Sequence, residues 1–167
     1  GLTARASVPS GASTGRHEAV ELRDGDAARY SGRGVLRAIA NVEGEINAAL
    51  QGLDATERAL IDATLRSLDG TPNCSRLGGN AILAASVATA RAAALAQDVP
   101  LWQYLGGDQS SVLPRPMVNA LSGGLHAEHS VDLQDYLAIP VAATTFPQAI
   151  EHVARVLAAL ADELRAR

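Results

Sequence analysis

The sequence predicts an α+β protein, and two observations lead to that class. Two short stretches near the start alternate between apolar and polar residues, as half-buried strands do. After residue 34 the apolar residues instead recur three or four positions apart, which is the period of an amphipathic helix. We therefore expect strands first and helices after them, followed by a strand–loop–strand–helix segment beyond residue 112.

The first two elements are predicted to be strands on either side of a loop. The alternation covers residues 3–8 and returns at residues 18–22. A turn at residues 23–26 should end the second strand. The connection between the strands has the composition of a loop and consists of Pro9, Ser10, Gly11, Ala12, Ser13, Thr14 and Gly15.

Two amphipathic helices are predicted next. The first carries an apolar stripe formed by Val35, Ile39, Val42, Ile46 and Leu50. The second should begin with a capping box, in which the Asp54 carboxylate accepts from the Glu57 amide. Its inward-facing residues are expected to be Leu60, Ile61, Leu65 and Leu68.

A third helix differs from these two because it is apolar nearly all round. It is expected to start at Asn80 as N-cap and to reach Gln97, with Arg91 as its only charged residue. Such a composition predicts the buried helix of the domain. A short helix at residues 100–105 should pack an aromatic side chain over the end of the bundle.

The pattern changes again near residue 112, where a second domain is predicted to start. Residues 117–121 and 136–141 are strand candidates, and a polar loop lies between them. The chain then ends in an amphipathic helix whose stripe is Ile150, Val153, Leu157, Leu160 and Leu164. This order can open a β/α barrel, but residues 113–167 are far fewer than the roughly 250 that a barrel takes.

Composition excludes several functional classes. The net charge of −4 is spread along the chain without a basic run, so nucleic acid is not an expected partner. The single cysteine, Cys74, cannot form an internal disulfide. No apolar stretch is expected to be a signal peptide or a membrane span, and a cytoplasmic location is the simplest expectation. All 14 basic residues are arginine, so a mechanism that needs a lysine amine cannot be complete in this chain.

The order of the motifs resembles enolase, also called phosphopyruvate hydratase, over essentially the whole chain. The first part of the resemblance is the loop at residues 6–15 and the segment at residues 17–26. It continues through later motifs in the same register, which are Leu68-Asp69-Gly70-Thr71, Leu77-Gly78-Gly79-Asn80, Leu113-Pro114, Gly123-Gly124-Leu125-His126-Ala127 and Gln134-Asp135-Tyr136. The resemblance implies a capping domain at residues 1–112, without its first strand, and the start of a catalytic barrel at residues 113–167.

The resemblance also implies roles for individual residues. Ser13 would supply oxygen ligands to Mg²⁺ from a mobile loop, formed by Ser10 to Gly15, that closes over the substrate. His126 would lie near the substrate phosphate, and Gln134 and Asp135 beside the leaving hydroxyl. Taken by themselves, these residues also fit a glycine–serine turn, a solvated loop histidine and a polar strand end. The implied activity is the lyase reaction of glycolysis that interconverts 2-phospho-D-glycerate and phosphoenolpyruvate, in a homo-oligomer.

Two positions depart from the family pattern. Asp135 stands where enolases usually have glutamate, and Ser122 where they usually have asparagine. A misplacement of about 1 Å can lower a rate by on the order of a hundredfold, so the shorter side chain at residue 135 affects the expectation of activity. The family's lysine base is absent here, and its acidic metal ligands lie on later barrel strands. Two functional hypotheses follow: a segment of a working enolase that is inactive by itself, or a non-catalytic, enolase-like binding or structural protein.

Overall fold

The computed structural model describes residues 1–11, 14–107, 111–124, 127 and 131–166. The chain divides into two compact units, Gly1–Gln109 and Ser110–Arg167. The first unit contains helices α1 (Leu36–Asn41), α2 (Asn47–Leu50), α3 (Arg58–Asp69), α4 (Gly79–Ala96) and α5 (Leu101–Gly106). The second contains strands β1 (Val118–Ser122) and β2 (Asp135–Ala138), followed by helix α6 (Phe146–Ala166). Helices and a two-stranded sheet together confirm the α+β class.

The predicted strands at residues 3–8 and 18–22 are wrong, because neither segment forms a strand in the described part of the first unit. The backbone groups of the second segment find other partners. The Asn80 carboxamide accepts from the Leu22 amide at 3.1 Å and donates to the Leu22 carbonyl at 3.2 Å. The Val20 amide donates to the Asn73 carbonyl, and the Val20 carbonyl accepts from the Gly79 amide. A side-chain amide and a loop therefore replace the strand ladder that alternation predicts.

The first predicted helix forms, with an irregular middle. Helix α1 continues through a π-helical turn (Val42–Ile46) into α2, so the apolar residues no longer follow one even stripe. Ile46 is buried, whereas Ile39 is 44% exposed. At the start of the helix, the Asp24 carboxylate accepts hydrogen bonds from the amides of Leu36 and Arg37 at 3.0 and 2.9 Å. Asp24 therefore caps α1 from a turn 12 residues earlier.

The expected capping box at the start of the second predicted helix is wrong. The Asp54 carboxylate accepts from the amide and the hydroxyl of Thr56, at 2.9 and 2.8 Å, and so closes a local turn instead. The Glu57 amide donates to the backbone carbonyl of Asp54, and α3 begins at Arg58. The helix ends at Gly70, whose φ of 69° is the left-handed conformation that glycine adopts without strain.

Helix α4 forms as predicted in extent, but it is less buried than its composition suggests. Its N-cap is Gly78, because the Asn80 side chain is engaged by Leu22. Ala81, Ala90, Ala93 and Ala94 are buried, while Leu83 and Leu95 are each about half exposed. Its 18 residues, with a mean hydropathy of 1.3, also have the length and composition of a membrane span, contrary to the expectation from the sequence. The core helix of a soluble protein passes the same test, and α4 packs against α1, α3 and α5.

The core of the first unit lies between these helices and the segment around Leu22. Its largest fully buried side chains are Ile46, Leu65 and Leu77. The hydroxyl of Tyr104 in α5 donates to the Thr56 carbonyl, just before α3, at 3.1 Å. The aromatic residue of α5 that bonds to the rest of the unit is thus Tyr104, whereas Trp102 is 55% exposed. The buried cluster consists of Leu22, Ala38, Ile46, Ile61, Leu65, Leu77 and Ala81.

The second unit is a β-hairpin with a helix. Strands β1 and β2 pair antiparallel, with Ser122 opposite Asp135 and Val118 opposite Ala138. The register shifts between Asn119 and Leu121, which marks a β-bulge. Helix α6 packs on β1 and buries Ala149 and Val153. Other members of its predicted stripe stay partly or largely exposed, among them Ile150 and Leu164.

Candidate active site

The predicted site residues fall into two groups, one in each unit. Ser10, Gly11, Thr14 and Gly15 of the first loop belong to the first unit, and Gln134 and Asp135 belong to the second. Ala12, Ser13 and His126 lie outside the described residues, so the roles implied for Ser13 and His126 stay predictions.

The first loop is attached to the protein through Ser10. Its hydroxyl donates to Glu21 Oε2 at 2.9 Å, while Arg23 donates to Glu21 Oε1 at 2.7 Å. Arg23 in turn donates to the carbonyl of Arg33 at 2.6 Å. One carboxylate therefore accepts bonds from the loop and from a fixed arginine. At its other end the loop turns back, since the Glu18 amide donates to the Gly15 carbonyl at 3.3 Å.

A cavity of about 750 Å³ runs alongside this loop. Ser10, Gly11, Thr14 and Gly15 form part of its wall. The other polar residues of the wall are Arg16, Glu18, Glu21, Arg23, Asn73 and Asn80. A volume of this size, lined by hydroxyl, carboxylate, guanidinium and amide groups, suits a small polar ligand.

Glu21 and Arg23 were not singled out as site residues by the sequence. The signal was partial, because Glu21 belongs to the alternating segment at residues 18–22 while Arg23 is the first residue of the predicted turn; residues two apart in extended backbone lie on one face. Without knowledge of the fold, that face cannot be assigned to the loop or to solvent. The hydrogen bond from Ser10 assigns it to the loop.

In the second unit, a glycine turn places Gln134 and Asp135 beside the end of β1. The Gly123 amide donates to the Gln134 carbonyl at 2.7 Å, and the Gly124 amide to the Val131 carbonyl at 2.8 Å. A side chain at residue 123 would collide with the carbonyls of Leu133 and Val131. Glycine is therefore required where the turn packs against the segment that leads into β2.

The carboxylate of Asp135 is held by two residues of β1. Asn119 Nδ2 donates to Asp135 Oδ1 at 2.6 Å, and the Ser122 hydroxyl lies 3.4 Å from the same oxygen. Asn119 Nδ2 also donates to the Ser122 hydroxyl at 2.8 Å. The two positions that depart from the enolase pattern, Ser122 and Asp135, thus face each other across the hairpin. Asn119 is a further functional candidate that sequence reasoning missed.

The described residues do not by themselves provide a metal site. No group of three or more His, Cys, Asp and Glu side chains in the described ranges is close enough to hold an ion. Glu21, the carboxylate bonded to the loop, already accepts from Ser10 and Arg23. The described residues therefore form no Mg²⁺ site by themselves, and Ser13, the ligand that the resemblance implies, lies outside them.

Two family models match the sequence, one after the other. The model of the enolase N-terminal domain matches residues 1–105. The model of the enolase C-terminal TIM barrel domain matches residues 110–167. Together the matches cover nearly every residue of the chain.

Proposed function

Because the chain belongs to the enolase family, whose parent activity is that of a lyase, we propose that it forms part of an enolase. The reaction would be the Mg²⁺-dependent interconversion of 2-phospho-D-glycerate with phosphoenolpyruvate and water. The observation that carries this proposal is the order of the two matches, N-terminal domain and then barrel domain, along one chain.

We assign the site residues by the same resemblance. Gln134 and Asp135 would contact the leaving hydroxyl of the substrate, and His126 its phosphate. The geometry of Asp135 supports this role, because Oδ1 accepts from Asn119 while Oδ2 makes no bond to any described residue. Oδ2 is thus the oxygen that a substrate hydroxyl can approach. A carboxylic acid at this position can donate the proton that a departing hydroxide needs.

The first loop would close over the bound substrate and bring Ser13 to a Mg²⁺ ion. Held by Ser13, Mg²⁺ would supply positive charge that offsets the negative charge developing on the substrate carboxylate. For the loop to move, Ser10 has to exchange its bond to Glu21, whose carboxylate stays anchored by Arg23. The Ser10–Glu21 bond therefore supports a defined resting position for the start of the loop at Ser10.

The chain contains no lysine, so the base that removes the substrate proton would come from residues beyond this sequence. We accordingly propose that the 167-residue chain is inactive by itself. In the complete protein, residues 1–112 would be the capping domain and residues 113–167 the start of the barrel. We propose a cytoplasmic homo-oligomer that binds neither nucleic acid nor membranes.

A second candidate is a non-catalytic, enolase-like binding or structural protein. The specific observation in its favour is the shorter carboxylate of Asp135, one oxygen of which is already bonded to Asn119. A vestigial site would keep such a contact because it stabilises the hairpin. The two candidates differ in whether the complete protein turns over 2-phosphoglycerate.

The test is phosphoenolpyruvate formation followed by a coupled absorbance assay with Mg²⁺, on the purified 167-residue chain and on the complete protein that contains it. We expect turnover by the complete protein and none by the chain. No turnover by a folded complete protein would favour the non-catalytic candidate. Turnover by the chain that survives further purification and is lost on Ser13→Ala would contradict the proposal that the chain is inactive by itself.

A further inference from the structure

We propose that Asn119 is a positioning residue that fixes the carboxylate of Asp135 through its side-chain amide. The catalytic meaning of this contact rests on the proposed function, whereas the contact itself does not. Asn119 Nδ2 lies 2.6 Å from Asp135 Oδ1, the shortest of the three distances that join Asn119, Ser122 and Asp135.

The β-bulge explains why two residues of β1 reach the same carboxylate. In a regular strand, residues three apart such as Asn119 and Ser122 point to opposite faces. Here the register pairs Asn119 with Leu137 and Ser122 with Asp135, so one residue of β1, Ala120, has no counterpart in β2. The extra residue brings Asn119 and Ser122 to the same face as Asp135. Bulges of this kind are common beside active sites, where they redirect a side chain.

The chemistry of the three groups admits one arrangement. Asp135 Oδ1 acts as an acceptor in this contact, so the Asn119 side chain turns its nitrogen, and not its oxygen, towards Asp135. The second hydrogen of Nδ2 is then free to bond the Ser122 hydroxyl at 2.8 Å, and that hydroxyl points its own hydrogen towards Asp135. Both donors act on Oδ1, and Oδ2 accepts from no described residue.

This arrangement gives Asn119 a function that Ser122 cannot replace. The Ser122 hydroxyl is 3.4 Å from Oδ1, a distance at which a hydrogen bond is weak. Asn119 therefore provides the main restraint on the side-chain rotation of Asp135, a residue that is otherwise exposed on the hairpin. The rate of a catalysed reaction falls steeply when a catalytic carboxyl group is displaced. The restraint on Asp135 therefore matters for any chemistry that uses Oδ2.

The contact is tested on the 167-residue chain by nuclear magnetic resonance. Asp135→Ala should shift the side-chain amide resonances of Asn119, and Asp135→Asn, which keeps the shape, should shift them less. The matched control is Asp132→Ala, because Asp132 is an exposed aspartate of the preceding loop whose carboxylate has no bond to a described residue. Cross-strand contacts between β1 and β2 report that the hairpin still folds. Asn119 resonances that respond equally to the Asp132 and Asp135 variants would overturn the proposal.

The positioning role is tested by kinetics on the complete protein. Asn119→Ala should lower kcat between about tenfold and a hundredfold and leave KM nearly unchanged, because the carboxyl group acts in the transition state. Asn47→Ala, at an exposed asparagine of α2, is the control and should keep full activity. Wild-type rates in Asn119→Ala would overturn the positioning role. A shifted Asn119 resonance in a complete protein without any turnover would instead remove the proposed function and leave the contact established.

Discussion

Replacement of Asp69 with alanine should destabilise the first unit strongly, because this carboxylate organises the loop between α3 and α4. Asp69 is only 2% exposed. It accepts from the Thr71 amide at 3.0 Å, from the Thr71 hydroxyl and from the Leu77 amide at 2.7 Å. Leu77 itself is fully buried, so its amide has no access to water when the carboxylate is removed.

The magnitude follows from the number of donors left without an acceptor. A buried donor without a partner costs about 1–3 kcal/mol. The Leu77 amide should account for a cost in that range, and the less buried groups of Thr71 for less, so we expect a total loss of about 2–4 kcal/mol. Arg76 also stabilises this loop, because it donates to the carbonyls of Leu68 and Asp69 and to the Glu45 carboxylate. Since Arg76 is only a donor, it cannot replace the Asp69 carboxylate as acceptor for the Leu77 amide.

The assay is urea unfolding followed by circular dichroism, with the free energy of unfolding extrapolated to water. The matched control is Asp26→Ala, which removes one exposed turn bond to the Ala28 amide and should cost less than about 1 kcal/mol. Equal stability of the two variants would refute the reasoning. It would mean that the loop finds other acceptors for the Leu77 amide.

Three further predictions concern the same two units. Hydrogen bonds from Arg37 and Leu36 and the charge of Arg29 lower the pKa of Asp24. Burial acts to raise the pKa of Asp69, but the hydrogen bonds from Thr71 and Leu77 together outweigh it, so that this pKa is lowered as well. Lowered pKa values stabilise the fold above the unfolded pKa of about 3.9, so unfolding midpoints should fall as acid is added below that pH; an unchanged midpoint would contradict this. Gly34→Ala should destabilise α1, since its Cβ would overlap the Asp24 carboxylate and come within 2.5 Å of Arg29, whereas Gly44→Ala, with open space around it, should be neutral or stabilising in thermal unfolding. Gly123→Ala should speed hydrogen exchange at the amides of residues 123 and 124, because the new Cβ meets backbone carbonyls that cannot move aside; unchanged exchange would count against that geometry.

The sequence was a good guide where local spacing decides the structure. Helices α3 and α6 form where their apolar periodicity predicts them, because contacts three and four residues apart lie within one helix, although Leu60 of α3, expected to face inward, is 49% exposed. The resemblance to enolase was recognisable for the same reason: its motifs are short and keep their order along the chain.

Sequence reasoning failed where a side chain bonds to backbone far away. Asn80 was expected to cap α4, but it pairs with Leu22, 58 residues earlier, and so also removes the need for a strand there. Asp24 caps a helix from a separate turn for the same kind of reason. Residue type shows that such a side chain can bond to backbone, but only the fold shows which backbone. Asn119 was missed because a bulge, not alternation, directs it towards Asp135.

The measurement that tests the proposed function most directly is the effect of Asp135→Ala on kcat in the complete protein that contains this segment. We predict a loss of several orders of magnitude with the fold intact, visible in kcat and in kcat/KM, because the carboxyl group stabilises the departure of hydroxide only in the transition state. Asp135→Glu, which restores the side chain usual in enolases, serves as the companion variant and should retain turnover. Full activity in the parent protein, unchanged by both substitutions, would contradict the proposed function of this residue and remove Asp135 from the mechanism.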